Sequence, residues 1–330
     1  MTRRLVALAA LLALTVVPAS AYLKYGARAG TRTINLHWVQ FPIRYFVTNR
    51  DVDQVSASQF QGAIGRAFST WHAVPNTPTS SQFVGFTSAT PSNSPGATVL
   101  GFESHPEEDR ALAITGFTYD TVTGEIVEAD IFFNTIFSWS TAQAGSTGRF
   151  DVESIALHEL GHLFGLSHSA LGETELRSGG RRVLGTGSVM FPIAFSAGDI
   201  SDRTLKADDI AGFTDIYGNT TSKSQTGSIS GRVTKNGRGV VGAHIVAFSP
   251  STGKLVGGFS LSDDGSFTIA GLELGPQVLR AEPLDDADIE SFFDASVNVD
   301  LNFQVKLHDR LIVVPRGGGA RNVEITVNPK

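Results

Sequence analysis

Apolar residues change their period along the chain, and the changes mark out elements. Residues 43–48 form a short β-rich run, whereas within 56–74 Phe60, Ile64, Phe68 and Trp71 recur every three or four positions, the spacing of one helical face. Ser56 and Gln59 stand where a capping box would start that helix, so it is predicted to be amphipathic and to pack on a sheet. Short runs at 82–87, 97–102, 111–119 and 126–134, separated by Pro, Gly and Ser, bring the expected strands to five. A second helix is predicted to start with Asp151 as N-cap and to stop at Gly165. A third runs from about residue 204 to Tyr217 and stops at Gly218.

Past Gly218 the pattern changes. Residues 219–228, NTTSKSQTGS, are polar and lack apolar periodicity, which reads as a linker between domains. Beyond them, short Val, Ile and Phe runs alternate with the turn dipeptides Asn236-Gly237, Thr252-Gly253 and Asp264-Gly265. About eight strands in roughly 100 residues predict a small β-sandwich over 229–330. No long period repeats, so solenoids and propellers are set aside.

The first residues read as an address. Arg3 and Arg4 precede an apolar run over 5–17, and Ala19-Ser20-Ala21 supplies the small residues of a cleavage site, so 1–21 is expected to be a signal peptide and the mature chain to begin near Tyr22. The run is shorter than the roughly 20 apolar residues that span a bilayer, so the expectation is export, to the outside or to a periplasm, without stable membrane insertion. Of the 330 residues 41 % are hydrophobic and 18 % charged, the composition of a soluble globular protein. The net charge of −6, which becomes −8 without Arg3 and Arg4, lacks the positive field that holds phosphate backbones, and nucleic acid is excluded as a partner. There are no cysteines, which removes disulfides, thiolate zinc sites and cysteine nucleophiles together. Any metal must be held by His, Asp or Glu.

One segment carries chemistry: Asp151-Val-Glu-Ser-Ile-Ala-Leu-His158-Glu159-Leu-Gly-His162-Leu-Phe-Gly165-Leu-Ser-His168. On a helix, His158 and His162 share a face about 6 Å apart along the axis, close enough to converge on one ion. Gly165 can take the left-handed conformation that ends the helix and turns the chain so that His168 approaches the same point. Three neutral imidazoles leave one position of a tetrahedral zinc for water, and Glu159 stands where it can take that water's proton and pass it to a leaving amine. Two histidines four apart on a helix are commonly surface or core residues, and H-E-x-x-H alone is only moderate support for a metal site. The longer pattern, with its glycine and third histidine, is far more specific.

Residues 158–168 match the zinc motif H-E-x-x-H-x-x-G-x-x-H of the metzincins, and the surrounding sequence resembles the matrixin branch of those metallopeptidases. Gly187-Ser-Val-Met190-Phe-Pro192 resembles the family's methionine-turn, which implies Met190 as the apolar floor beneath the zinc. Leu205-Lys-Ala-Asp208-Asp209-Ile-Ala-Gly212 resembles the start of its closing helix, implying Asp209 as the tether of that turn and Asp208 as the partner of a new N-terminus. The resemblance extends more weakly over 33–218, and implies that 112–117 is the edge strand that pairs with an extended substrate. Several features depart from it. Residues 171–187 form a longer insert than is typical, with Arg177, Arg181 and Arg182 among glycines, and are expected to be a mobile basic loop near the cleft. A cysteine switch needs a cysteine, and there is none. Of the family's second metal sites only His105, Glu107, Glu108 and Asp109 remain as a candidate, with a solvated loop as the alternative.

The last region, through Gly227-Ser-Ile-Ser-Gly-Arg-Val-Thr and Asp263-Asp-Gly-Ser-Phe-Thr-Ile, resembles the carboxypeptidase regulatory-like, transthyretin-like β-sandwich, which implies a folding or docking accessory without a catalytic role. Its Asp263, Asp264, Asp285, Asp286 and Asp288 are candidates for Ca2+, against the plainer reading of solvated turns. The sequence therefore predicts an α/β (α+β) metzincin catalytic domain over 22–218, with a twisted five-stranded sheet and three main helices, then a 219–228 linker and an all-β sandwich over 229–330. The expected function is a monomeric, secreted zinc endopeptidase acting on protein or peptide, with one catalytic Zn2+ on His158, His162 and His168, and Glu159 as general base and acid. A catalytically silent binding scaffold and a zinc hydrolase of a non-peptide amide or ester are the alternatives.

Overall fold

The computed structural model describes residues 24–29, 32–93, 95–178 and 180–330. The signal peptide expected at 1–21 lies outside them, and no helix of the described residues is long and apolar enough to cross a membrane.

The first half is a mixed α/β layer. Strands β1 (Ile43–Thr48), β2 (Ser81–Thr87), β3 (Thr98–Glu103), β4 (Ala113–Tyr119) and β5 (Ile126–Asn134) form one sheet in the order β2-β1-β3-β5-β4. All neighbours are parallel except β4, which runs antiparallel to β5 with Thr115 opposite Ile131, and lies at the sheet's edge. Helix α1 (Ala57–His72) begins with the capping box: Ser56 Oγ accepts the Gln59 N–H at 3.2 Å, and Gln59 Oε1 accepts the Ser56 N–H at 2.8 Å. Its buried face is Phe60, Ala63, Ile64, Ala67, Phe68 and Trp71. Phe60 meets Phe102 and Phe133 of the sheet at 4.7 and 4.9 Å between ring centroids. Trp71 turns the other way, donating its indole N–H to the Leu157 carbonyl of helix α2 (Val152–Leu163) at 2.9 Å. Each of these large side chains contributes roughly 1.5–3 kcal/mol by leaving water, so α1 is the plate on which α2 is mounted.

Two segments differ from expectation. The 171–187 insert is an antiparallel hairpin, β6 (Gly172–Arg177) and β7 (Gly180–Thr186), rather than an irregular loop. Its residues alternate: Leu184 is exposed while Val183 is buried against the C-terminal region, and Arg181 donates to the Asp285 carbonyl at 2.8 Å. The stretch 219–228, read as a linker, contains helix α4 (Thr220–Gln225) directly after α3 (Ala207–Tyr217), and the next strand begins at Gly227. Asn219 caps α4 by accepting the N–H groups of Thr221 and Ser222. Ser222 is the helix's buried residue, so no apolar rhythm betrays it.

The second half is built of strands. β8 (Gly227–Lys235) pairs with β11 (Ser266–Leu272) antiparallel and with β13 (Gly319–Val327) parallel. β9 (His244–Phe248) lies between β10 (Leu255–Phe259) and β12 (Gly275–Glu282), both antiparallel to it, and short strands at Lys306–Leu307 and Ile312–Val314 add to β12. The two sheets share a core that includes Ile229, Ile245, Phe267, Leu279, Phe303 and Ile325. This region is packed onto the first. Gly271 has φ +70°, and a Cβ there would stand 2.8 Å from that of Ala211, so only glycine lets β11 approach α3 this closely. A second apolar cluster joins Val183, Phe191, Phe259, Leu284, Phe292 and Phe293, drawn from both halves.

Candidate metal centre

Helix α2 is fixed at both ends before it presents any chemistry. Asp151 caps its start, accepting the Ser154 N–H and the Arg203 guanidinium at 2.8 Å each. Near its end, Trp38 Nε1 donates to the Leu163 carbonyl and the Tyr217 hydroxyl to that of Phe164, both at 2.8 Å. These bonds occupy carbonyls that a helix terminus otherwise leaves orphaned. Gly165 then turns the chain at φ +93°, where a Cβ would overlap the Leu36 carbonyl, so glycine is required twice over.

The turn brings His168 to the two helical histidines. Ring centroids lie 4.7 Å apart for His158 and His162, 4.8 Å for His162 and His168, and 5.4 Å for His158 and His168. One ring nitrogen from each falls within 4.8 Å of the others, and among the described residues no other such group of three forms. Each Nδ1 faces a backbone carbonyl: His158 that of Val189 at 2.8 Å, His162 that of Leu166 at 2.8 Å, and His168 that of Ser291 at 2.6 Å. A carbonyl only accepts, so each Nδ1 carries the proton and each Nε2 keeps a lone pair for a metal. Burial lowers the pKa of all three rings. His168 is lowered to about 3, with the His158 charge as a second cause, and His162 falls well below its ordinary value, with both neighbouring rings adding to burial. Three neutral nitrogens at one point, with no thiolate, are a donor set that fits zinc.

Glu159 sits beside them, 5 % exposed. Thr115 of the edge strand β4 donates its hydroxyl to Glu159 Oε2 at 2.6 Å and lies 3.1 Å from the Glu159 carbonyl. Burial pushes the carboxyl up to about 7, against the opposing pull of the Thr115 bond. The Tyr25 ring lies 5.3 Å from His162 and 5.1 Å from Phe117, and burial together with the Glu159 charge holds its phenol protonated. Neither Thr115 nor Tyr25 belongs to a motif. The only trace of Thr115 in the sequence is its place in a predicted edge strand.

Met190 is 2 % exposed, and its sulfur fills the space that a Cβ on Gly161 would need, beneath the helix between His158 and His162. Asp209 gathers the methionine segment. It accepts from Ser188 Oγ at 2.5 Å, Val189 N at 2.9 Å, Met190 N at 3.3 Å and Lys206 N at 2.8 Å. Asp208, given to an N-terminus by the resemblance, accepts Ser169 Oγ at 2.6 Å and the Gly257 N–H of β10 at 2.8 Å. Several of the acids considered for calcium have other partners. His105 meets Glu107 at 2.8 Å, Asp264 pairs with Arg232 at 3.0 Å, and Asp286 accepts the Thr174 N–H at 2.7 Å. They assemble no three-ligand group among the described residues.

The sequence model of the matrixin family matches residues 37–218, more than half of the chain. The chain belongs to the matrixins. Metalloendoproteinase 1 of Glycine max is 30 % identical over 168 residues, which cover 48 % of this chain and 46 % of that protein. This matrixin therefore aligns with about half the length of that curated relative. Among solved structures, the TIE protein of Bacillus anthracis matches 32 % of this chain and 17 % of its own at 14 % identity and TM-score 0.22. A minor pilin of Streptococcus agalactiae matches 32 % and 45 % at 13 % identity and TM-score 0.23. Superpositions that loose carry no argument about this matrixin's fold or partners.

Proposed function

We propose that this matrixin is an exported zinc endopeptidase that hydrolyses peptide bonds in proteins or peptides outside the cytoplasm. Its catalytic domain would be 22–218 and its accessory β domain 229–330, with 1–21 removed on export. The reading is carried by one observation: a ring nitrogen from each of three imidazoles converges while their Nδ1 atoms are held by carbonyls, with the buried carboxylate of Glu159 next in sequence to the first. Zinc bound there supplies the Lewis-acid charge that acidifies water and polarises a scissile carbonyl.

The chain's own groups do the rest. Glu159, its carboxyl pushed up to about 7, is matched to accept a proton from water and return it to the leaving amine near neutral pH. Thr115 orients that carboxylate through a 2.6 Å bond. The free side of β4 offers main-chain groups to an extended peptide, which would lie across the site as an added strand. Met190 and Asp209 keep the floor of the site rigid.

The test is to incubate the purified chain with an unbiased peptide mixture and read the products by mass spectrometry, beside a chelated sample and the same sample resupplied with zinc. New termini that vanish with chelator and return with zinc are expected. A zinc-loaded chain that cuts nothing would move the reading to a silent scaffold or a non-peptide substrate.

A further inference from the structure

Residues 168–174 lead from the third histidine into the hairpin, and the C-terminal β region grips them directly at three points and, through Asp208 of α3, at a fourth. His168 Nδ1 donates to the Ser291 carbonyl at 2.6 Å. Ser169 Oγ donates to Asp208, whose other oxygen accepts the Gly257 N–H. Leu171 packs on that same Gly257, where a Cβ would stand 3.2 Å from Leu171 Cγ and 2.7 Å from His244 Nε2. Thr174 gives its N–H to Asp286 Oδ1 and its hydroxyl to the Asp286 carbonyl, both at 2.7 Å.

The group facing His168 is itself held in place. Ile289–Ser291 is a single helical turn in which Ser291 N donates to the Asp288 carbonyl at 3.0 Å, and Phe292 N and Phe293 N both donate to that of Ile289 at 2.9 Å. The Phe292 and Phe293 rings lie 5.8 and 5.4 Å from Phe259 of β10, and Phe292 lies 6.5 Å from His168. The acceptors for His158 and His162 come from the matrixin-matched residues, at Val189 and Leu166. The acceptor for His168 comes from 123 residues away. A carbonyl on Nδ1–H fixes a ligand's tautomer and ring plane, and losing such a partner typically weakens metal affinity about 10- to 100-fold.

We infer that the C-terminal β region is a built part of the metal centre: the Ser291 carbonyl is the positioning group for His168, and the grip on 168–174 holds the third ligand in place. This rests on His168 being a zinc ligand, as proposed above. It gives the β region a role that docking or folding alone would not: the affinity of the site for zinc depends on the seating of the 289–293 turn.

The test uses the full chain, stripped of metal and titrated with zinc against a chromophoric chelator. Phe292→Ala, which loosens the turn behind Ser291, is expected to weaken zinc binding about 10- to 100-fold. In the zinc-loaded, 15N-histidine-labelled variant, the Nδ1 proton of His168 should exchange faster while those of His158 and His162 keep their protection. Asp286→Ala, a part-exposed change that should fold readily, removes the side-chain acceptor of the Thr174 N–H while the hydroxyl keeps the backbone carbonyl, and is expected to weaken zinc about threefold, a milder version of the same loss. Ile325→Ala, in β13 opposite Val233, costs stability in the same region without touching the turn, and should leave affinity within about twofold. A wild-type chain that takes up no zinc would sink the functional reading itself. If the wild type binds zinc, unchanged affinity and His168 protection in Phe292→Ala and Asp286→Ala would overturn the positioning role, as would an equal loss in Ile325→Ala.

Discussion

Residues 152–190 and the β region after 227 contribute to the same centre in opposite ways. The first carries every side chain proposed to react: two candidate ligands and the carboxylate on α2, a third candidate ligand past a glycine turn, and a methionine beneath. The second contributes no reactive side chain, but places a carbonyl on His168 and a backbone N–H on Asp208. Chemistry can be written in local spacing because a helix converts a sequence interval directly into a distance. Orientation is set by whatever packs around the ligands, and that can come from anywhere in the chain.

The comparison is broken most severely on the first side. His162→Ala removes one of the three proposed ligands, and among the described residues no further donor joins the group, so the purified variant should contain no zinc by elemental analysis and show no peptide cleavage. Retention of one zinc per chain would end its role as a ligand. Next comes Asp209→Ala, which removes the acceptor of Ser188 Oγ, Val189 N and the part-buried Lys206 N, while Met190 N keeps Ser188 Oγ at 3.0 Å. At about 1–3 kcal/mol for an unsatisfied buried group, partly relieved by relaxation, the expected loss is about 3 kcal/mol by chemical denaturation. A loss below about 1 kcal/mol would mean that the segment is held by packing instead.

Thr115→Val keeps shape and removes the hydroxyl that steadies Glu159. Zinc content should stay at one per chain while kcat falls about tenfold, equivalent to about 1.4 kcal/mol. Because that bond holds the Glu159 pKa down, the acid limb of the pH profile should move to higher pH. An unchanged kcat and limb would show the contact to be incidental.

A pH-resolved effect sharpens the C-terminal side. Burial, then the charge of Asp209, pushes the Asp208 carboxyl from 3.8 up to about 7. The folded chain therefore keeps a proton there that the unfolded chain gives up above about pH 4. The stability that proton carries is fully present at low pH and falls as pH rises towards 7. Asp208→Asn, which mimics the protonated acid towards Ser169 and Gly257, should flatten that decline by up to about 1.4 kcal/mol per pH unit in metal-free samples. Parallel curves for the two proteins would show that Asp208 does not titrate in this window.

What the sequence made legible follows the same division. The helix with His158 and His162, the glycine turn to His168 and the capping box at Ser56 were readable because each is a fixed offset along the chain. The hairpin at 172–186 was not, because its alternation is satisfied by Val183 packing in a cluster shared with the C-terminal region and by Arg181 reaching Asp285, 104 residues away. Helix α4 escaped because it is short, polar and set by the Asn219 cap. Thr115, Tyr25 and Ser291 were invisible as site residues for one reason: their place beside Glu159 and the histidines exists only after β4, the N-terminal segment and the 289–293 turn have been packed against α2.

The most direct measurement is on Glu159→Ala, assayed for zinc by elemental analysis and for cleavage of a peptide mixture by mass spectrometry beside the wild type. Loss of the carboxylate should leave the three imidazoles and one bound zinc per chain, while cleavage falls by about 10²–10⁴-fold or more, the usual contribution of general acid–base catalysis. Cleavage at the wild-type rate with zinc bound would contradict the account, because the one buried carboxylate beside the ligands would then have no part in the chemistry.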